Sequence, residues 1–163
     1  MQIAIIADIH DHINNLRKAL KMTHEADALI CCGDLCSPFI VKELGEGFTK
    51  GNIHIVFGNN DGDLFRITTK ANEYPHMKLH GEFAELDLGD KKFGISHFDN
   101  IGRAMAESEV YDVVCFGHNH QFEISENGDT LIINPGEIMG GLTGNATFAI
   151  YDTNKHEARR SNL

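Results

Sequence analysis

The sequence predicts an α/β protein in which two sheets pack face to face with helices outside, and three observations lead there. The first part of the chain alternates strand-like and helix-like spacing, the remainder is dominated by short strand patterns, and polar residues recur where strands should end.

Ile3 to Ala7 is a nearly unbroken apolar run rich in β-branched residues, the pattern of a strand covered on both faces. From Ile13 to Ala26 the spacing becomes helical, with Ile13, Leu16 and Leu20 on one face. Ala28 to Cys32 repeats the buried-strand pattern, Phe39 to Leu44 is a short helix following Pro38, and Ile53 to Phe57 is a third strand. This β-α-β-α-β order predicts an open sheet wound by helices. Further on, His76 to Leu79, Glu82 to Leu88, Lys92 to Ser96, Val113 to Phe116, Gln121 to Ser125, Thr130 to Ile133 and Ala146 to Asp152 read as strands, interrupted by one helix at about Asn100 to Glu109. Gly89-Asp90 and Asn127-Gly128 are hairpin turn signals, so this half is expected to be mostly antiparallel. Asn60 to Ala71 and Ile138 to Gly144 read as loops, and the tail from Thr153 is polar and weakly patterned.

At 163 residues with 42% hydrophobic content, residues 1–163 fit a single domain with a continuous core. The formal charge is -10 with neutral histidines, and the basic residues form no cluster longer than Lys91-Lys92 or Arg159-Arg160. That excludes bulk electrostatic binding to nucleic acid or to an anionic membrane. Cys31, Cys32, Cys36 and Cys115 show no C-x-x-C pair and no disulfide framework. Reduced thiols, a first apolar run that stops at Asp8, and no run near the ~18 residues of a spanning helix lead us to expect a soluble, cytoplasmic protein.

The polar residues carry the chemistry. Asp8-Ile9-His10 ends the first strand, Gly33-Asp34 the second, Gly58-Asn59-Asn60-Asp61 the third, Ser96-His97 a later one and Gly117-His118-Asn119-His120 another. The carboxyl ends of strands are where open α/β sheets bind ligands. Seven donors result: Asp8, His10, Asp34, Asn59, His97, His118 and His120. Imidazole nitrogens, carboxylates and one amide oxygen without a thiolate suit manganese, iron, zinc, cobalt or nickel better than calcium or magnesium. Taken singly, each fragment is what a turn or a helix cap looks like: Asp34 opening a loop, Asn59 and Asp61 in an Asx turn, His97 a satisfied core histidine. Together, in one order and each at a strand end, they point to a metal centre. Glycines at 33, 58 and 117 are expected to let the backbone turn sharply beside the donors. His12 reads as a solvent-exposed helix-start residue, and Arg66 and Arg103 are the basic residues closest in sequence to the motif loops.

The ordered set D-x-H, G-D, G-N-x-D, a lone His and G-H-x-H resembles the calcineurin-like metallophosphoesterase superfamily, in particular its small single-domain phosphodiesterases of archaeal and bacterial type. The resemblance implies a four-layer α/β/β/α sandwich of two mixed sheets. It also implies two divalent transition-metal ions, manganese first and nickel, iron, zinc or cobalt as alternatives. Asp8, His10, Asp34 and His120 would hold one ion and Asp34, Asn59, His97 and His118 the other, with Asp34 as the bridge. Two ions ~3.5–4 Å apart acidify a shared water and clamp both oxygens of an in-line displacement at phosphorus. Asp34, Asn60 beside the substrate and Asp61 orienting a neighbour complete the expected catalytic set. The expected substrate is a small phosphoester, a diester ahead of a monoester because no arginine clamp accompanies the motifs. The alternatives are a phosphomonoesterase of the same mechanism and a non-catalytic scaffold like the retromer's small subunit, whose ligand set is degraded where this one is filled. Exposed edge strands leave a homodimer open. Three positions depart from the pattern: Asn60 replaces a proton-donating His or a Cys, Glu137 stands after Asn134-Pro135-Gly136 where a Ser is usual, and Phe98 follows His97 in place of a small residue.

Overall fold

Both faces of the first strand are covered, which is why its sequence shows no polar alternation. In the computed structural model, which describes residues 1–163, β1 (Gln2–Ile6) sends Ala4 and Ile6 toward helices and Ile3 and Ile5 toward a second sheet. After it come α1 (Ile13–Met22), β2 (Ala28–Cys31), α2 (Pro38–Gly47), β3 (Asn52–Ile55), α3 (Leu64–Ala71) and β4 (Met77–Leu79). The chain continues as β5 (Phe83–Leu88), β6 (Lys91–Ser96), α4 (Asp99–Glu107), β7 (Val113–Cys115), β8 (Phe122–Asn127), β9 (Thr130–Pro135), β10 (Thr147–Asp152) and β11 (Glu157–Asn162).

Six strands form one sheet in the order β11-β10-β1-β2-β3-β4, and five form the other in the order β5-β6-β7-β9-β8. Three apolar layers separate the elements. Leu16, Leu20, Ile40, Val41 and Ile67 pack helices α1 to α3 on the first sheet. Ile3, Ile5, Ile30, Phe93, Ile95 and Tyr151 fill the space between the sheets. Ala106, Val114, Phe116 and Ile132 seat α4 on the outer face of the second sheet. The result is α/β/β/α, and at about 1.5–3 kcal/mol per fully buried large aliphatic side chain the burial in these layers is what holds the strand ends in place.

Four sequence expectations are refined or corrected by the structure. Antiparallel pairing dominates the second half as expected, in β5–β6, β8–β9, β1–β10 and β10–β11, but the middle of the second sheet departs from it: β6, β7 and β9 run parallel. The hairpin turns are local signals, whereas the crossover through α4 that makes β6 and β7 parallel is not. Helix α3 lies inside the segment read as a loop, started by Asp63, whose side chain accepts from the Arg66 amide. The polar tail forms β11, paired with β10 at the sheet edge, where exposed side chains are tolerated. Finally, α1 stops at Met22 rather than Ala26. Thr23 turns its hydroxyl onto the Ala19 carbonyl, and the chain turns so that the Asp27 amide reaches the Gln2 carbonyl ahead of β2.

Candidate metal centre

The loops that follow β1, β2, β3, β6 and β7 open on the same end of the sandwich, and they carry all seven predicted donors. Five of these occupy left-handed backbone: Asp8 (φ 53°), His10 (44°), Asp34 (56°), His118 (69°) and His120 (61°). Non-glycine residues avoid this region, and its use in succession marks a place where side-chain direction outranks local comfort. Of the three motif glycines only Gly33 has positive φ (96°). Gly58 and Gly117 are required for room: a Cβ at Gly58 would collide with the Asp34 carboxylate, and one at Gly117 would lie 2.6 Å from Asp8 Oδ2.

Hydrogen-bond partners fix which ring nitrogen faces inward. His97 Nδ1–H donates to the Cys32 carbonyl at 2.8 Å, leaving Nε2 aimed at Asn59 Oδ1 (3.0 Å) and Asp34 Oδ2 (3.4 Å). His120 Nδ1–H donates to Glu137 Oε2 at 2.7 Å, leaving Nε2 aimed at Asp8 Oδ1 (3.4 Å). His10 Nε2 lies 3.4 Å from Asp34 Oδ2 and 3.8 Å from Asp8 Oδ1, and His118 Nδ1 lies 2.9 Å from Asn59 Oδ1. Acceptors thus confront acceptors, and buried Asp8 Oδ1 and His10 Nε2 have no hydrogen-bond partner. Such an arrangement is relieved by a proton or by a cation. Donor atoms of Asp8, His10 and His120, and of Asp8, Asp34 and His97, each converge within 4.8 Å, so the residues fit divalent metals.

Electrostatics follow the same geometry. Burial depresses the His97 pKa, but the adjacent Asp34 carboxylate outweighs it and the net shift is upward. His10 is also raised, chiefly by Asp8 and then by Asp34. Burial opposes ionisation of Asp34, yet hydrogen bonding to His97 and Asn60 holds it well below the usual carboxylate range.

Around the donors, the Asn60 amide N–H and Nδ2 donate to Asp34 Oδ1 and Oδ2 at 2.8 and 2.9 Å. Asp61 sits behind them. Its carboxylate accepts from the amides of Gly58 (2.7 Å), Cys36 (2.9 Å) and Asp34 (3.2 Å), which ties two donor loops together and makes it a positioning residue. Two neighbours escaped the sequence reading. Cys36 Sγ lies 3.5 Å from His10 Nδ1, and burial together with surrounding carboxylates pushes its thiol up to about 12. Glu137 was visible only as a departure from a pattern, because its bond to His120 joins residues separated by the β8–β9 hairpin. His12 caps α1, Arg66 pairs with Asp63 and Arg103 with Glu123, all at exposed positions. The largest surface hollow, about 620 Å³ and lined by Arg17, Lys21, Glu43 and Glu46, lies between α1 and α2. Its residues lie beyond the first turns of α1 and α2, whereas the first two donor loops lead into those helices.

Comparison with known proteins agrees with this geometry. The calcineurin-like phosphoesterase superfamily domain matches residues 1–156. A phosphodiesterase of Methanocaldococcus jannaschii is 36% identical over 163 residues, covering 98% of this chain and 97% of the relative. The solved structure of an archaeal phosphodiesterase superposes with a TM-score of 0.93 at 36% identity over the full length of both chains. Vacuolar protein sorting 29 from Cryptosporidium parvum (TM-score 0.71, 19% identity, 99% and 96% of the two chains) and the phosphoesterase YfcE from E. coli (0.70, 18%, 99% and 98%) share the fold. Two mixed sheets flanked by helices, imidazoles and carboxylates gathered at the strand ends, and a family match over nearly the whole length agree: the chain belongs to the calcineurin-like phosphoesterase superfamily, as a metal-dependent phosphoesterase.

Proposed function

We propose that this single-domain chain is a cytosolic phosphodiesterase of small substrates that works with two divalent transition-metal ions, manganese first. Asp8, His10, Asp34 and His120 hold one ion, and Asp34, Asn59, His97 and His118 hold the other. The observation that carries this reading is the set of acceptor atoms facing one another across short gaps, with Asp34 Oδ2 3.4 Å from both His10 Nε2 and His97 Nε2, within reach of both groups as a shared ligand must be. When bound, the ions supply Lewis acidity at phosphorus and acidify the attacking water.

The chain's own residues do the rest. Asp61 fixes the loop backbones that present Asp34 and Asn59. Beyond its two bonds to Asp34, Asn60 has one Nδ2–H to offer a phosphoryl oxygen but no proton to give a leaving group at neutral pH. Turnover is therefore expected to favour esters whose leaving groups depart unassisted. Diester preference is supported by the phosphodiesterase relative and by the commitment of Arg66 and Arg103 to Asp63 and Glu123, which leaves neither for the second charge of a monoester.

The test is to strip the protein of metal, restore Mn²⁺, and compare bis(p-nitrophenyl) phosphate with p-nitrophenyl phosphate. Metal-dependent cleavage that favours the diester and disappears in Asp34→Asn is the expected result. Tight metal binding with turnover of neither ester overturns it.

A further inference from the structure

Glu137 is fully buried, and its carboxylate joins two different structures. Oε2 accepts from His120 Nδ1–H at 2.7 Å. Oε1 accepts from the Thr143 amide at 2.7 Å, the Thr143 hydroxyl at 2.7 Å and the Leu142 amide at 3.0 Å, and the Leu142 amide also reaches Oε2 at 3.3 Å. Every partner is a donor, so a group that accepts on both arms is required. A glutamine would have to turn its NH₂ toward one donor or the other.

The loop gripped by Oε1 is tied at its base to the other side of the metal centre. Glu137 and Ala146 close it as an isolated β-bridge. The Ile138 and Met139 amides donate to the Ala7 and Asp8 carbonyls at 3.0 and 3.1 Å, and Asn15 Nδ2 donates to the Ile138 and Met139 carbonyls. Gly140 and Gly144 hold positive φ between these anchors, and Leu142 at the tip is 72% exposed. Apart from its base, the loop's tie to the metal centre therefore runs through one carboxylate that also sets the direction of a donor histidine.

We propose that Glu137 is a positioning residue that couples the metal-facing nitrogen of His120 to the 138–145 loop, so that metal occupancy and loop order rise and fall together. This rests on the metal reading above. A cation drawing on His120 Nε2 strengthens Nδ1–H as a donor to Glu137, and a carboxylate held firmly by the loop in turn fixes the tautomer that keeps Nε2 free for metal. Coupling of this kind is reciprocal: the factor by which metal favours the ordered loop equals the factor by which the ordered loop binds metal more tightly than the loosened one.

The experiment uses the full chain and three variants, Glu137→Gln, Glu137→Ala and Thr143→Val. Thr143 touches no donor to the metal centre, so Thr143→Val removes part of the loop grip and leaves the His120 bond in place. Mn²⁺ affinity is measured by equilibrium dialysis, amide exchange at Leu142 and Thr143 is followed with and without Mn²⁺, and the His120 ring nitrogens are followed by ¹⁵N NMR with Zn²⁺ as the diamagnetic probe. The expected results are a ten- to hundredfold loss of Mn²⁺ affinity in Glu137→Gln and a severalfold loss in Thr143→Val. Metal-induced protection of the loop should be present in the natural chain and absent in Glu137→Gln, which should also show a mixed His120 tautomer. If Glu137→Gln fails to fold, the Thr143→Val affinity alone decides. Unchanged affinity and unchanged protection in folded variants overturn the coupling and leave the metal centre standing, whereas a natural chain that binds neither metal overturns both.

Discussion

Two places in this molecule bring histidine rings within hydrogen-bond reach of each other, and their electrostatics are opposite. Among the donor loops His97 Nε2 and His118 Nδ1 are 3.3 Å apart, and where β3 and the edge strand β4 end His54 Nδ1 and His80 Nε2 are 3.1 Å apart. Carboxylates raise His97 and its neighbour His10, while burial and then the neighbouring His80 and Lys78 charges lower His54 to about 4, and burial and Lys78 lower His80 too. A second difference lies in the backbone: His10, His118 and His120 hold left-handed conformations, whereas His54 sits inside a regular strand. Crowding of imidazoles does not by itself prepare a metal site. Aspartates set among them do, because only those leave the cluster short of positive charge.

The largest expected effect breaks the comparison at its charged side. Asp34→Asn removes the carboxylate that lies 3.4 Å from both His10 Nε2 and His97 Nε2, and diester hydrolysis should fall by roughly a thousandfold or more, about 4 kcal/mol of transition-state stabilisation, while the variant melts cooperatively. Substitution at the other pair, His54→Gln, should leave the rate within about twofold, and a large loss there would mean that the two histidine pairs are not functionally distinct.

Asn60→His sharpens the comparison by adding an imidazole beside Asp34. If carboxylates are what hold imidazoles protonated here, the new ring carries a proton and assists departure of poor leaving groups. The rate ratio between nitrophenyl and phenyl esters should shrink by about tenfold or more, approaching the usual range for general acid catalysis. An unchanged ratio would remove leaving-group assistance as the consequence of this position.

The smallest effect is on stability. His54 is held below its unfolded value of 6.5, so the unfolded chain binds more protons than the folded one between about pH 6.5 and 4. Stability associated with His54 is present above pH 6.5 and is lost as pH falls toward 4. Melting temperatures of the metal-free protein should decline less steeply across that window in His54→Gln than in the natural chain. Equal slopes would mean that burial of this pair does not penalise protonation.

The sequence reveals interactions that are local or repeated and misses those made once across the fold. Ile3 to Ala7 and Ala28 to Cys32 announce buried strands because every position is covered, and the donors stand out because each breaks an apolar run where the strand ends. Helix α3 buries only Ile67 and Ala71 and carries Ile67-Thr68-Thr69 in its middle, so it has no stripe long enough to declare itself. The polar β11 strand exists because β10 offers it an edge. Asp61 was expected to orient a neighbour, but only the folded chain shows three backbone amides from two separate loops meeting on its carboxylate. Glu137 is the clearest case: its two arms satisfy a histidine and a loop that are remote from each other in sequence.

The five donors in left-handed backbone also bear on how an ion is captured. Their conformational restriction is supported by the sheets behind them and by backbone bonds between loops, such as those from the Asp8, Ile9 and His10 amides to the Gly33 and Asp34 carbonyls. In these turns capture resembles filling a rigid socket, and adjustment is left to the 138–145 loop. Selection among metals rests on how well an ion's radius and preferred angles match a fixed opening, and a chelator can empty that opening without melting the protein.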